Sequence, residues 1–490
     1  MVQNATSHDH FTYTYALKAC CLLKAVEKGH KIHAHCLKSG YTSDIFILNS
    51  LIHLYYESND ILSARRVFDM INVPNVVSWT SILSGLVKCG CEEEAVMVFG
   101  SMDVRPTTVT LVSVLSACSR LRALKYGKSV HGYYLRNFSY DNNIVDNAVL
   151  NLYGACGCCV SLRNVFDRMP NRDVVSWTTM VGGYVMGGCY EEAIEIFGMM
   201  VQGGEVDPNE ATLVNVLSAC SSLGVLSLGR WVHSFIDKRG DLLVDSHVGN
   251  SLVNMYAKCG DVGMALKVFN ELKCKDLVSW SIIIRGMAMN GYAKQVMQLF
   301  SLMLCHGIAP DGVLFVGLLS ACSHVGLVDK GLMYFKAMKD VYRISPEMEH
   351  YACMVDIYGR TGLFDKVETF IKGIPMVPDG VIWGALANAC KLHGDEKVLE
   401  RISRSLLKTT GAGAGTYALI SNILIGEKGG ILLEAESGDF LGKHGGLVPY
   451  SWSAPRSMLS HRTLDLTMSS AEEEYYGIDD EEEFESDEGE

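Results

Sequence analysis

Apolar side chains along this chain recur at the spacing of one helical face, and short polar turns interrupt them at regular intervals. In residues 45–75, Leu48, Leu51, Ile52 and Tyr55 follow the i, i+3, i+4, i+7 rule and form a single stripe. A polar break, Glu57 to Asp60, separates that stripe from a second one that includes Ile61, Ala64 and Phe68. The arrangement predicts two short helices joined by a turn.

The same arrangement recurs down the chain. Val-Ser-Trp appears at Val77–Trp79, Val175–Trp177 and Val278–Trp280, with the tryptophans 98 and 103 residues apart. Asn49, Asn147 and Asn250 mark a second phase with the same two separations. Each long period divides into three units, and the register is 10–44, 45–75, 76–107, 108–142, 143–173, 174–209, 210–245, 246–276, 277–311, 312–347, 348–379 and 380 to about 413. Pro74, Pro106, Pro170, Pro208, Pro310, Pro346, Pro375 and Pro378 fall at or near unit ends, where a helix must stop anyway. Gly90, Gly157, Gly188, Gly260, Gly291, Gly326 and Gly362 fall where the turn inside each pair is expected.

A single helical hairpin cannot bury its apolar stripe, whereas stacked neighbours can. The expected fold is therefore all-α, a right-handed α-solenoid of about eleven or twelve helix-turn-helix units whose first helices line a groove. Residues 1–9 are read as a lead-in without a targeting signal, 380–425 as a terminal extension and 426–490 as a divergent, disordered acidic tail.

Unit lengths that alternate near 35, 36 and 31, with Val-Val-Ser-Trp openings and LSACS and NMYAKCGD segments, resemble the plant pentatricopeptide repeat proteins. More specifically they resemble the subclass with alternating long, short and standard motifs. The resemblance covers residues 10 to about 425. It implies one nucleotide of single-stranded RNA per repeat, read by two side chains, with no catalysis and no cofactor. The implied base-reading residues are the fifth and last of each unit. They are Asn49 with Asn75, Thr80 with Thr107, Asn147 with Asp173, Thr178 with Asn209, Asn250 with Asp276, and Ser281 with Asp311. The second residue packs against the base, which assigns Phe46, Val77, Ile144, Val175 and Val278; His247 departs from the pattern.

The implied footprint, 5′ to 3′ from residue 45, is Y-?-n-U-A-n-U-G. Thr80 with Thr107 matches no pairing, and the long units are left unread. Asn49, Asn147 and Asn250 also stand near helix starts, where asparagine is a good cap, so capping is the competing reading. Trp79, Trp177 and Trp280 are expected to pack against neighbouring helices, with stacking on bases as the alternative. Trp383, Cys390, His393 and Tyr417–Ile423 resemble the start of the extension motif of RNA-editing members, and the pattern stops after Ile423. The expected role is an RNA-binding adaptor on a mitochondrial or chloroplast transcript, with a deaminase or other processing factor supplied by another chain. A tetratricopeptide-type protein scaffold and a non-functional fragment of a longer protein are the alternatives.

Charge refines this picture. The net charge is −13, but residues 472–490 carry twelve acidic side chains and no Lys or Arg, so −13 + 12 leaves −1 for the rest. A nearly neutral array cannot bind by phosphate neutralisation alone and must lean on the bases. Neither DNA nor a membrane is an expected partner, since no run of apolar residues is long enough to span a bilayer. Among the 17 cysteines, Cys20, Cys118, Cys220 and Cys322 recur with gaps of 98, 102 and 102 and are read as small packing residues. Cys156 and Cys159 form a Cys-x-x-C without a second ligand pair, which argues against zinc. Gly411, Gly413 and Gly415 lack the strand and the Lys-Ser/Thr of a phosphate loop. Segments of residues 431–490 weakly resemble the end of a retroelement ribonuclease H domain, without the carboxylate set its chemistry needs.

Overall fold

The computed structural model describes residues 9–41, 43–138, 142–239, 246–393 and 401. The chain divides into two units, Met1–Gly430 and Ile431–Glu490, and every described residue belongs to the first. Tyr417–Ile423, Gly411, Gly413, Gly415 and the acidic tail lie outside the described residues.

The described residues form 23 α-helices. The first pairs are α1 (His10–Leu22) with α2 (Val26–Lys38), α3 (Ile45–Glu57) with α4 (Ile61–Asp69), α5 (Val76–Lys88) with α6 (Glu92–Gly100), and α7 (Thr108–Arg120) with α8 (Leu124–Asn137). Next come α9 (Asn143–Ala155) with α10 (Cys159–Arg168), α11 (Val174–Met186) with α12 (Tyr190–Gly203), and α13 (Glu210–Leu223) with α14 (Leu226–Arg239). The series continues with α15 (Ser246–Lys258) and α16 (Val262–Glu271), α17 (Leu277–Met289) and α18 (Ala293–Cys305), α19 (Gly312–Val325) and α20 (Val328–Asp340), and α21 (Met348–Arg360) and α22 (Phe364–Lys372). The last described helix is α23 (Gly380–His393).

Each first helix packs against the first helix of the next unit, so α1, α3, α5 and onward to α23 form one continuous layer. The second helices cover that layer and contact the first helices on either side. This is an α-solenoid. Its core is the seam between the two layers, where Leu48, Leu51, Ile52, Leu115, Leu217 and Leu318 are buried. Local chemistry sets the hairpins. Gly90, Gly157, Gly188, Gly260, Gly291, Gly326 and Gly362 all adopt positive φ, the left-handed turn that a side chain would strain. Lys24 and Arg122 occupy the equivalent turns of their units with φ of 51° and 52°.

The tryptophans pack against neighbouring helices, as expected. Trp79 lies edge-on to Phe68 at 5.0 Å, Trp177 to Phe166 at 4.9 Å and Trp280 to Phe269 at 4.9 Å. In each case a tryptophan of one unit rests on the second helix of the unit before it. Cys20, Cys118, Cys220 and Cys322 are buried in the seam as packing residues. Burial pushes the thiols of Cys118 and Cys322 up to about 11 and that of Cys220 to about 12, so all three keep their protons.

Two further periodic devices join the units. Gly29, Gly127, Gly229 and Gly331 sit in the second helices α2, α8, α14 and α20, facing Leu54, Leu152, Met255 and Ile357 of the next unit's first helix. A Cβ on any of them would lie 2.3–2.6 Å from its partner's side chain. The other device is a histidine–tyrosine bond between the same helices: His33 Nδ1 to Tyr55 Oη at 2.6 Å, and His131 to Tyr153 and His233 to Tyr256 at 2.9 Å. No described helix is long and apolar enough to cross a membrane.

Candidate nucleic-acid interface

Every base-reading candidate at the end of a unit has a structural task already. Asn75, Thr107, Asp173, Asn209, Asp276 and Asp311 are the N-caps of α5, α7, α11, α13, α17 and α19. Asn75 Oδ1 accepts from Ser78 N at 2.9 Å, Asp173 Oδ1 from Ser176 N at 2.8 Å, and Asn209 Oδ1 from Thr212 N at 2.9 Å. Asp276 Oδ1 accepts from Ser279 N and Asp311 Oδ1 from Leu314 N, both at 2.9 Å. Such bonds satisfy amides that have no partner inside the helix. The caps nevertheless remain exposed, apart from the half-buried Asp311.

The fifth residues are not caps. α3 and α9 are capped by Asp44 and Asn142, so Asn49 and Asn147 stand one turn inside their helices. Asn250 is likewise inside α15, which begins at Ser246. Capping therefore does not account for the three asparagines. In all three, Oδ1 is buried without a hydrogen-bond donor.

The structure brings several fifth residues onto the cap of the next helix. Asn147 Nδ2 donates to Asp173 Oδ1 at 3.5 Å, and Thr178 Oγ1 donates to Asn209 Oδ1 at 3.3 Å. Thr80 reaches Thr107 through Thr110, with Oγ1 separations of 2.7 and 3.0 Å. Thr212 forms a similar relay with Thr178 at 2.6 Å and with Asn209 at 2.9 Å. Among the described residues no hydrogen bond joins Asn49 to Asn75 or Ser281 to Asp311, and Ser281 Oγ is buried without a partner.

Electrostatics keep the acidic caps charged. The Ser279 N–H bond holds the Asp276 carboxyl below its usual range against the opposing effect of burial, and the Ser279 hydroxyl and Asn250 amide add to it. At Asp173 burial pushes upward, but bonds from Ser176 and Asn147 together bring the carboxyl below its ordinary value. Both are carboxylates at neutral pH, acceptors only.

Beside five of the six pairs stands an exposed apolar side chain, and beside Asn250 and Asp276 stands His247. Phe46, Val77, Ile144, Val175 and Val278 are between 50% and 70% exposed, although each belongs to a helix whose other face is core. Phe11, Val109, Val313 and Val381 hold the same second position and are similarly exposed. They stand in units to which the sequence assigns no reading pair. Thr14 and Asp44 hold the fifth and last places of one of these, unit 10–44. In the long units 108–142, 210–245 and 312–347 the fifth place is Val112, Val214 or Val316, side chains with nothing to donate or accept. In most units one face of the first-helix layer thus offers an exposed apolar residue, a fifth residue and a capping residue, with His247 and Glu349 in the second place of units 246–276 and 348–379. No cluster of metal-ligating side chains occurs among the described residues, Cys156 and Cys159 included.

The profile of the PPR repeat matches residues 77–105, 175–205, 250–277, 278–308 and 313–341. Among relatives, the chain is 38% identical over 451 residues to the Arabidopsis thaliana pentatricopeptide repeat-containing protein At1g08070, chloroplastic, covering 85% of this chain and 61% of that protein. It is 37% identical over 424 residues to At4g38010 of the same plant, covering 86% and 76%. It is 34% identical to At2g22410, mitochondrial, covering 85% and 66%. The chain therefore spans about three fifths to three quarters of the length of these relatives. The crystal structure of the pentatricopeptide repeat protein PPR10 in complex with an 18-nt psaJ RNA element shares the fold, with a TM-score of 0.60 at 19% identity over 87% of this chain and 70% of that one.

Proposed function

The chain belongs to the pentatricopeptide repeat family, and on that premise we propose that its first-helix layer binds single-stranded RNA and reads bases by hydrogen bonding. The observation that carries the reading is the recurring triad of exposed apolar residue, fifth residue and N-cap, complete in units 45–75, 76–107, 143–173, 174–209 and 277–311. The solved relative bound to RNA is consistent with it.

The capping bonds supply a physical route to base choice. An N-cap spends one oxygen on the helix, and what remains decides what the base meets. Asn75 and Asn209 have Oδ1 occupied, which leaves Nδ2 as a donor. Asp173, Asp276 and Asp311 have Oδ1 occupied, which leaves Oδ2 as an acceptor. Asn147 with Asp173, and Asn250 with Asp276, then present a donor beside an acceptor. That complements a uracil carbonyl and its N3–H, whereas cytosine N3 would oppose a carboxylate. Thr178 with Asn209 presents a hydroxyl and an amide donor, which suits adenine N6–H and N1. Ser281 with Asp311 places a carboxylate against the two N–H groups of guanine. Asn49 with Asn75 presents two amide donors and favours a pyrimidine. Thr80 and Thr107 are both engaged by Thr110 and offer no net preference.

The resulting footprint is Y-?-n-U-A-n-U-G. The alternating long, short and standard subclass, the extension motif starting at α23, action on an organellar transcript and a deaminase supplied in trans are parts of the same proposal. In support of the extension, Trp383 and Cys390 are buried in α23. Selection from a random single-stranded RNA pool with the full chain tests the reading. Enrichment of U-A-n-U-G is the expected result. A folded protein that enriches no sequence would favour a protein-binding scaffold, and an unfolded one a fragment.

A further inference from the structure

The turn of unit 143–173 carries Cys156, Cys158 and Cys159, and the turn of the next unit carries Cys189. Cys159 opens α10 and Cys189 is the N-cap residue of α12, and both are half-buried. Their sulfurs converge on one residue. A Cβ built on Gly187 would lie 2.9 Å from Cys159 Sγ, while Cys189 Sγ lies 3.8 Å from the Gly187 carbonyl oxygen. The Cys189 thiol and the Glu192 carboxylate are close enough to act on the Cys159 thiol, and both raise its pKa. Cys158, by contrast, donates to the Cys156 carbonyl at 3.8 Å.

The pairing belongs to this junction. Cys159 is the first residue of a unit's second helix, and Cys189 is the N-cap of the following unit's second helix. The same two places hold Ile61 and Cys91, and Val262 and Tyr292, elsewhere in the array, so two thiols at these places occur at this junction alone among the three.

We propose that Cys159 and Cys189 form a disulfide, clasping unit 143–173 to unit 174–209, when the protein meets a peroxide. Burial, reinforced by Cys189, pushes the Cys159 thiol up to about 12, so Cys159 holds its proton at neutral pH. Hydrogen peroxide transfers one oxygen to Cys189, giving a sulfenic acid and one water. Cys159 sulfur then displaces that oxygen: the S–S bond forms, the S–O bond breaks, and the Cys159 proton leaves in a second water. Each sulfur is oxidised by one electron, and the peroxide is reduced to two waters.

The test uses the reduced full chain treated with hydrogen peroxide under native conditions. Free thiols are then alkylated, and the protein is digested without reduction and mapped by mass spectrometry. The expected product is the peptide pair joined through Cys159 and Cys189, retained in Cys158→Ser. In Cys159→Ser the linked pair is lost and a dimedone adduct appears on Cys189. Two outcomes would overturn the proposal: both thiols recovered alkylated after peroxide, or Cys189 joined instead to Cys156 or Cys158.

Discussion

Replacing Gly127 with alanine adds a methyl group where the structure has no space for one. The new Cβ would stand 2.3 and 2.6 Å from the two methyls of Leu152 and 3.0 Å from its Cγ. Leu152 is fully buried and cannot swing away without displacing the seam. Overpacking of this kind costs about 1–3 kcal/mol. Alanine is the better helix former, which returns about 1 kcal/mol. With two methyls inside 3 Å the steric cost belongs at the upper end, so a net loss of about 2 kcal/mol is expected. Gly132, in the same helix α8, is the control, because a Cβ there meets nothing within 4 Å. Gly132→Ala should gain about 0.5–1 kcal/mol. The assay is denaturant unfolding followed by circular dichroism, with hydrogen exchange of α8 and α9 amides to localise the effect. Leu152→Ala alone removes a buried side chain and costs about 2–5 kcal/mol. Combined with Gly127→Ala it should lose at least about 1 kcal/mol less than the sum, because the alanine methyl then fills the hole. Equal stability of Gly127→Ala and Gly132→Ala would refute the reasoning.

Further outcomes follow from the same structure. Asn250→Thr with Asp276→Asn should move that position's preference from uridine toward adenosine by about 1–3 kcal/mol, read by binding to the two single-base RNA variants; an unchanged preference removes base reading from the pair. Arg122→Gly should stabilise the protein by about 1 kcal/mol, because a non-glycine residue with φ of 52° carries strain that glycine lacks, and a lower melting temperature would contradict this. Burial lowers the pKa of His33 and His131, so the unfolded chain binds more protons as pH falls below about 6.5. Their share of stability is then complete above that pH and lost below it. The melting temperature should drop on acidification, and less so in His131→Phe, since Phe335 holds the equivalent place in α20. In the native protein Cys118, Cys220 and Cys322 should resist alkylation at neutral pH while exposed Cys274 and Cys305 react, as peptide mapping would show.

The helix pairs were legible because the apolar stripe recurs in every unit, and a left-handed glycine in the turn or a proline at the unit end marks most of them. The tryptophans were legible as core residues from their place beside the fifth residue. Other features lie beyond a one-dimensional reading. Gly29, Gly127, Gly229 and Gly331 read along the chain as poor helix formers, and their purpose appears only when a leucine, methionine or isoleucine of the next unit is set against them. Thr110 and Thr212 are ordinary helix residues in sequence, yet each ties a fifth residue 30 or 34 positions earlier to a cap. Capping competes with base reading for Asn49, Asn147 and Asn250 in the sequence because the last residue of one unit and the fifth of the next both lie within about one turn of a helix start. The start of α3 at Ile45 and of α9 at Asn143 separates them.

Under the proposed reading, the last residue of a unit has two tasks, and the first limits the second. A side chain there must hold the next helix before it can meet a nucleotide, and the types that cap well are Asn, Asp, Ser and Thr. Arginine, glutamine and lysine, useful for base contacts elsewhere, would leave the helix end open and weaken the joint between units. The vocabulary of the surface is therefore set by the backbone. Exchanges within the capping set can alter which base is preferred while the array stays assembled, so new target sites are reachable by single steps that all remain folded.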